Sequence, residues 1–192
     1  MSMDGRYAVE AAPGGLSLVQ RFLNTAATAN AKYPDLLADR EAVSRWMASV
    51  DELQTATVAV THANVVLLRQ LRAQVRGALI ARDHPAGTDE IVLGVADLPA
   101  TARIADDGVV ALAPALDGAA GAATAVLLRA YEAQLTGEWR RLKVCRNAAC
   151  RVAFYDRSRN TSAVWHDVHT CGNSANLRAS RARRRPSGRS DG

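Results

Sequence analysis

The sequence predicts an α+β protein: a mainly helical N-terminal domain with one small β-hairpin, then a compact module of knuckle, hairpin and helix. Three observations predict it. Apolar residues recur at three- and four-residue spacing through much of the first 139 residues, the signature of amphipathic helices. An Asp-Gly pair at Asp107-Gly108 separates two β-capable runs, a hairpin signal. All three cysteines and two of the four histidines crowd into Cys145–Cys171.

The elements follow in order. Residues 1–15 are small and aperiodic, broken by Pro13-Gly14-Gly15, and read as a flexible N-terminus. From Leu16 a helical face begins with Leu16, Val19, Phe22, Leu23 and Ala26, and Pro34 limits its reach. A second helix is expected over Asp39–Val50, with Val43, Trp46 and Met47 inward. A third is expected from about Asp51 to Arg82, burying Leu53, Val60, Val65, Leu68, Leu71, Val75 and Leu79, with Arg69, Arg72 and Arg76 on its other side. His84-Pro85-Ala86-Gly87 ends it. Thr88-Asp89-Glu90 reads as the capped start of a short helix that stops before Pro99. Residues 102–105 and 109–112 form the hairpin, closed by Pro114. Gly118–Leu135 is an alanine-rich helix with Gly137 as its C-terminal cap. The helical domain therefore spans 16–139, the C-terminal module 140–184, and a disordered basic tail 185–192.

The module's spacing carries chemistry. Cys145-x4-Cys150, fifteen residues, His166, four residues, Cys171 is two ligand pairs separated by a hairpin-sized insert, the arrangement of one structural zinc ion. The bland alternative is three small core thiols, but these thiols cluster in 27 residues and occur nowhere else. His166 keeps equal spacers in both pairs and is the favoured fourth ligand; His169, two residues before Cys171, is the alternative. His62 and His84 read as ordinary residues on a helix surface and in a loop. Arg151–Tyr155 reads as a strand, Asp156–Asn160 as a turn, Thr161–Trp165 as the returning strand, and Cys171-Gly172-Asn173 as the opening of a helix over Ser174–Arg184. That order resembles a treble-clef finger and sets Cys171 at a helix N-terminus, where the dipole favours a thiolate.

Charge is divided along the chain. From Arg140 onward there are thirteen Lys or Arg against three Asp; the first 139 residues carry eleven basic and sixteen acidic groups. The basic part attracts phosphates in a salt-dependent way, through Arg157 and Arg159 on the finger's turn and Arg178, Arg181, Arg183, Arg184 and Arg185 on its helix and tail. Nucleic acid is the expected partner, DNA rather than RNA, with a protein partner or homodimer as a further expectation and no membrane. No run of 18 apolar residues exists, which argues against a membrane span. The start lacks a basic patch followed by an apolar stretch, so a secretory signal is not expected; the cytoplasm is, where thiols stay reduced. Four ligands saturate zinc, and paired carboxylates or a Gly-rich phosphate loop do not appear, so an enzyme is not expected.

These residues resemble a known family. Cys145-x4-Cys150, Phe154-Tyr155-Asp156-Arg157-Ser158-Arg159-Asn160, Trp165 and Cys171-Gly172-Asn173 are similar to the CGNR zinc finger. In that family the finger follows an ABATE domain, and the pair is described as a stress-induced transcriptional regulator. Leu18-Val19, Phe22-Leu23-Asn24-Thr25, Asp35-Leu36-Leu37 and Trp46 resemble the ABATE part. The resemblance implies a transcriptional regulator binding nucleic acid through the finger. The alternative is a zinc-stabilised protein-interaction or ligand-sensing module, with Asn24, Thr25 and Trp46 lining a pocket or serving as cap and core filler. The chain departs from the family where His166 replaces a cysteine, where Ala163 and Val164 replace arginines, and where Ser174 and Asn176 replace an arginine and a lysine. The first departure keeps a zinc-competent donor set; the others remove basic side chains that the arginines of the tail partly restore.

Overall fold

The computed structural model describes residues 6–29, 33–53, 58–83 and 98–173. Expectations for Thr88–Pro99, for the helix over Ser174–Arg184 and for the tail fall mainly outside those residues. In chain order the elements are α1 (Leu16–Leu23), α2 (Arg40–Ala48), a 3-10 turn (Asp51–Leu53), α3 (His62–Asp83), β1 (Ala100–Ile104), β2 (Val110–Pro114), α4 (Gly118–Leu135), a 3-10 turn (Glu138–Arg141), β3 (Leu142–Val144), β4 (Ala153–Tyr155) and a wide helical turn (Val168–Gly172). The strands make two separate antiparallel hairpins, β1–β2 and β3–β4.

The helices form where their apolar period demands. Leu16, Val19, Phe22 and Leu23 of α1 are buried, and Phe22 meets Trp46 of α2 with ring centroids 5.7 Å apart. Asp39 caps α2, accepting from the Ala42 N–H at 2.8 Å. Alanines of α4 let it lie close to α1 and α3: Ala119, Ala122, Ala123, Ala130 and Ala133 are all buried. Gly137, at φ +77°, takes the left-handed turn that ends α4. One core runs from α1 through α4 and on into Leu142, Val144 and Ala153. Residues 6–15 have no helix or strand, yet Ala12 lies in that core and its N–H donates to Gln20 at 2.6 Å.

Three expectations need correction. The third helix starts at His62, not near Asp51. Thr61 and Asn64 cap each other there: the Asn64 N–H donates to Thr61 Oγ1 at 3.2 Å and the Thr61 N–H to Asn64 Oδ1 at 2.9 Å, a helix start in all but residue type. Arg72 does not face solvent. It is buried, holds Asp35 through two 2.7 Å bonds and reaches Thr25 Oγ1 at 2.9 Å, while Arg76 donates to the Leu23 carbonyl at the end of α1. Burial raises the Asp35 pKa, but the Arg72 hydrogen bonds and charge outweigh it and hold the carboxyl below its ordinary value.

The third correction concerns the C-terminal module. Its hairpin is not 151–155 with 161–165. Strand β4 pairs with β3, in the register Leu142 to Tyr155, Lys143 to Phe154 and Val144 to Ala153, so the cysteine knuckle is itself the hairpin's turn. Thr161 adopts φ +51°, which interrupts an extended strand, and residues 161–163 are held instead by a side chain, Lys143. Its ammonium donates to Thr161 O at 2.6 Å, Ala163 O at 3.1 Å and Asp156 Oδ2 at 2.8 Å. All three of its protons are used.

Candidate metal centre

The knuckle forms because Asn147 organises it. The Asn147 carbonyl accepts from the N–H groups of Cys150 (2.8 Å) and Arg151 (3.1 Å), and its side chain accepts from the Ala149 N–H at 3.1 Å. Arg151 turns through φ +57°, and the Cys145 N–H closes the ladder onto Val152 O at 2.8 Å. Both thiols therefore point to one side of a tight loop, buried. The third thiol arrives on the final helical turn. Asp167 starts that turn, accepting from the His169 N–H at 2.7 Å and the Thr170 N–H at 3.2 Å. This starts the turn four residues before Cys171 and runs it into Asn173, which is already α-helical, so that Cys171 lies in the first turn of a helix whose continuation over Ser174–Arg184 falls outside the described residues. Gly172 lets Trp165 close over the site: a Cβ there would stand 3.3 Å from the indole.

These elements bring Cys145, Cys150, His166 and Cys171 together, with one ligand atom of each within 4.8 Å of all the others. His166 presents Nδ1, at 3.4 Å from Cys150 Sγ and 3.6 Å from Cys171 Sγ. A zinc tetrahedron with ordinary Zn–S and Zn–N bonds has a sulfur-to-nitrogen edge of about 3.6 Å, close to both of these distances. His169 is exposed and outside the cluster. One thiol is already biased toward its thiolate. The hydrogen bond from Cys150, helped by His166, pulls Cys145 down to about 4 against the opposing effect of burial. Cys150, as the donor, is pushed up by that same bond and by burial. A thiolate is the form that ligates metal.

Residues 141–184 match the CGNR zinc finger. The matched segment is the finger alone, and it holds all four donors. No curated protein matches the chain. The matched finger thus brings three cysteines and a histidine together as the donors of a single zinc site.

Around the three thiols the apolar support is thin: Val152 and Phe154, with Tyr7, Val9, Ala163 and Trp165 partly buried against the cluster. Much of the remaining order is polar, and sequence reasoning missed it. Asp156, fully buried, accepts from Lys143, from the Ser158 N–H at 2.9 Å and from the Ala163 N–H at 2.9 Å. Burial raises its pKa; the Lys143 ammonium and these N–H groups outweigh that and hold it low. One signal was present: Lys143 is one of two lysines among 24 basic residues, in a strand otherwise apolar. Asn24 of the helical domain was also missed as an anchor. Its amide donates to Ala153 O at 2.9 Å and accepts from the Ala153 N–H at 2.8 Å, standing in for a neighbouring strand on the free edge of β4.

The arginines expected to meet phosphate are placed unevenly. Arg159 is exposed. Arg157 is engaged within the molecule, with Glu10 and the Ala11 carbonyl at 2.8 Å each and its guanidinium 5.3 Å from the Tyr155 ring centre. Arg178, Arg181, Arg183, Arg184 and Arg185 lie outside the described residues. Arg140 and Arg146, not singled out by sequence, are exposed on the finger.

Proposed function

We propose that the chain is a non-enzymatic transcriptional regulator that binds nucleic acid, DNA in preference to RNA, through its zinc finger and the arginine-rich segment that follows. The observation that carries this reading is the charge division: residues 140–192, the finger and the tail after it, hold thirteen basic residues against three acids, while the rest of the chain is acidic. Internal bonds engage Lys143, Arg141 and Arg157, and Arg151 is half-buried. Arg140, Arg146 and Arg159 are the remaining exposed cations of the described finger, with the tail arginines beyond it. Zinc here is a scaffold, and its four donors leave no coordination position for a substrate. The resemblance of the helical part to an ABATE domain, with the stress-induced role and cytoplasmic setting that go with it, belongs to this same proposal. Among the described residues no helix is long and apolar enough to cross a membrane.

The test is a titration of labelled duplex DNA and of RNA at rising salt. The expected result is binding whose logarithm falls linearly with the logarithm of salt concentration, tighter on DNA, and weakened when residues 178–192 are removed. Absence of binding at low salt, or binding indifferent to that truncation, overturns the reading.

A further inference from the structure

The hairpin β1–β2 is built unlike the rest of the molecule. All five residues of β1 are exposed, as are the first three of β2. The register pairs Ala100 with Pro114, Ala102 with Leu112 and Ile104 with Val110, so these six apolar residues share one face. Ile104 is 76% exposed and Val110 66%. An isolated two-stranded hairpin is marginal in water. Strand β2 leans on α4: a Cβ built at Gly121 would stand 3.8 Å from the Pro114 ring. Strand β1 is the outer edge, and among the described residues no strand other than β2 pairs with it.

That edge has a definite polarity. The Ala105 N–H donates to Val109 O at 2.9 Å and the Ala115 N–H to Pro99 O at 3.0 Å. Hydrogen-bonded pairs alternate along an antiparallel ladder, so Thr101 and Arg103 turn their backbone groups toward β2, and Ala100, Ala102 and Ile104 turn theirs outward. The outer edge thus offers three complete N–H and C=O sets over five residues. On β2 the outward set ends in Pro114, which has no N–H.

We propose that β1 is the contact through which two copies of this chain associate, edge to edge and antiparallel, across a twofold axis at Ala102. In that register Ala102 lies opposite its own copy and Ala100 opposite Ile104, so every outward group is paired, with about six hydrogen bonds across the seam. Arg103 then faces Thr101. Sliding the strands by two residues in one direction sets Arg103 directly opposite itself, which costs energy, and sliding in the other leaves an outward pair unmet. Ala102, at the axis, has the smallest side chain after glycine, and the two apolar faces become one continuous four-stranded face. A foreign partner has no charged side chain to recognise on that face; a second copy needs none. The edge is five residues long, far fewer than the roughly 20–30 residues a side of a standard interface, so the association is weak and concentration-dependent. The proposal is independent of nucleic-acid binding.

The experiment is sedimentation of the full-length, zinc-loaded chain over low to high micromolar concentration, beside Ala102→Pro. The Ala102 N–H points away from β2, so proline there leaves the hairpin's own ladder intact but removes a central donor of the seam. The expected result is a monomer–dimer equilibrium in the parent and loss of the dimer in Ala102→Pro, with unchanged helical circular dichroism and zinc content. Cross-linking reads the register and does not depend on the proline variant folding. Ala102→Cys brings two thiols to a pair with Cα atoms about 5.5 Å apart, inside disulfide range, and forms a disulfide-linked dimer under mild oxidation, whereas Arg103→Cys does not. A monomer at every concentration, a dimer that Ala102→Pro leaves untouched, or cross-linking through position 103 in place of 102 overturns the proposal.

Discussion

The helical part and the finger are held by different physics. Around α1–α4 the interior is aliphatic and aromatic: Leu18, Phe22, Leu37, Trp46, Leu68 and Leu79 are all essentially fully buried, and burial of such surface is the dominant favourable term in folding. The finger's own cluster is three cysteines with Val152 and Phe154, too little to carry a fold without help. What replaces a core there is an ion-sized set of four donors and a buried lysine–aspartate pair that takes the place of a third strand. The seam is nevertheless not a linker, because Leu142, Val144 and Ala153 of the finger's hairpin belong to the larger core. Arg82 of α3 also donates to the carbonyls of Trp139 and Leu142 at 2.9 and 2.8 Å.

The sharpest way to break this contrast is Cys150→Ser. Zinc affinity in small modules is folding free energy, on the order of 10 kcal/mol or more, so this change has the largest effect. The expected outcome is loss of zinc, measured by elemental analysis, and loss of protection from hydrogen exchange around the knuckle and residues 161–173, with the helical circular dichroism retained. Collapse of the helices in the same variant would show that the two regions are one cooperative unit and that the contrast is only one of composition.

Next in size is Lys143→Met. It removes the cation and leaves Asp156 buried and uncompensated, a loss of about 3 kcal/mol to be read by denaturant unfolding with zinc present. The pH response sharpens the assignment. The folded pKa of Asp156 lies below its ordinary value, so its contribution is complete above about pH 3.9 and is lost as pH falls through the folded value. In Lys143→Met that depression relaxes, and acid unfolding begins at a higher pH than in the parent. An unchanged acid limb would mean that Lys143 does not stabilise the carboxylate.

The two regions also differ in how well their sequence announces them. Helices α1 and α2 were legible because burial imposes a period of about 3.6 on their residues, and α4 from its run of alanines, which favour helix, and the Gly137 cap. The start of α3 was not, since Thr61 and Asn64 form a cap through a pair that generic motifs overlook. In the finger the ligands were legible from spacing, because zinc demands those residue types at those distances; His166 and not His169 completes the cluster. Which strand pairs with β4 was not legible. Thr161–Trp165 has the composition of a strand, and its exclusion depends on a positive φ at Thr161 and on three bonds from one ammonium, neither of which leaves a periodic trace. Arg157 illustrates the same limit: its place in a basic turn suggests phosphate, and its bonds to the Ala11 carbonyl, 146 residues away, and to Glu10 beside it leave no local trace.

The smallest expected effect probes the junction itself. Asn24→Ala removes the amide that satisfies both backbone groups of Ala153 and leaves a buried N–H without a partner, a cost of about 2 kcal/mol. Zinc content stays at one per chain, because no ligand moves. The informative measurement is the same substitution in the Cys150→Ser background. If zinc is what keeps β4 in place, Ala153 is already free in that background and Asn24→Ala costs almost nothing more, so the two changes couple by about the full 2 kcal/mol. If the costs add, β4 remains docked on α1 without the ion. The division between an apolar region and a metal-held region then lies after Tyr155, at the network of Asp156 and Lys143, and the hairpin of the finger belongs to the helical core.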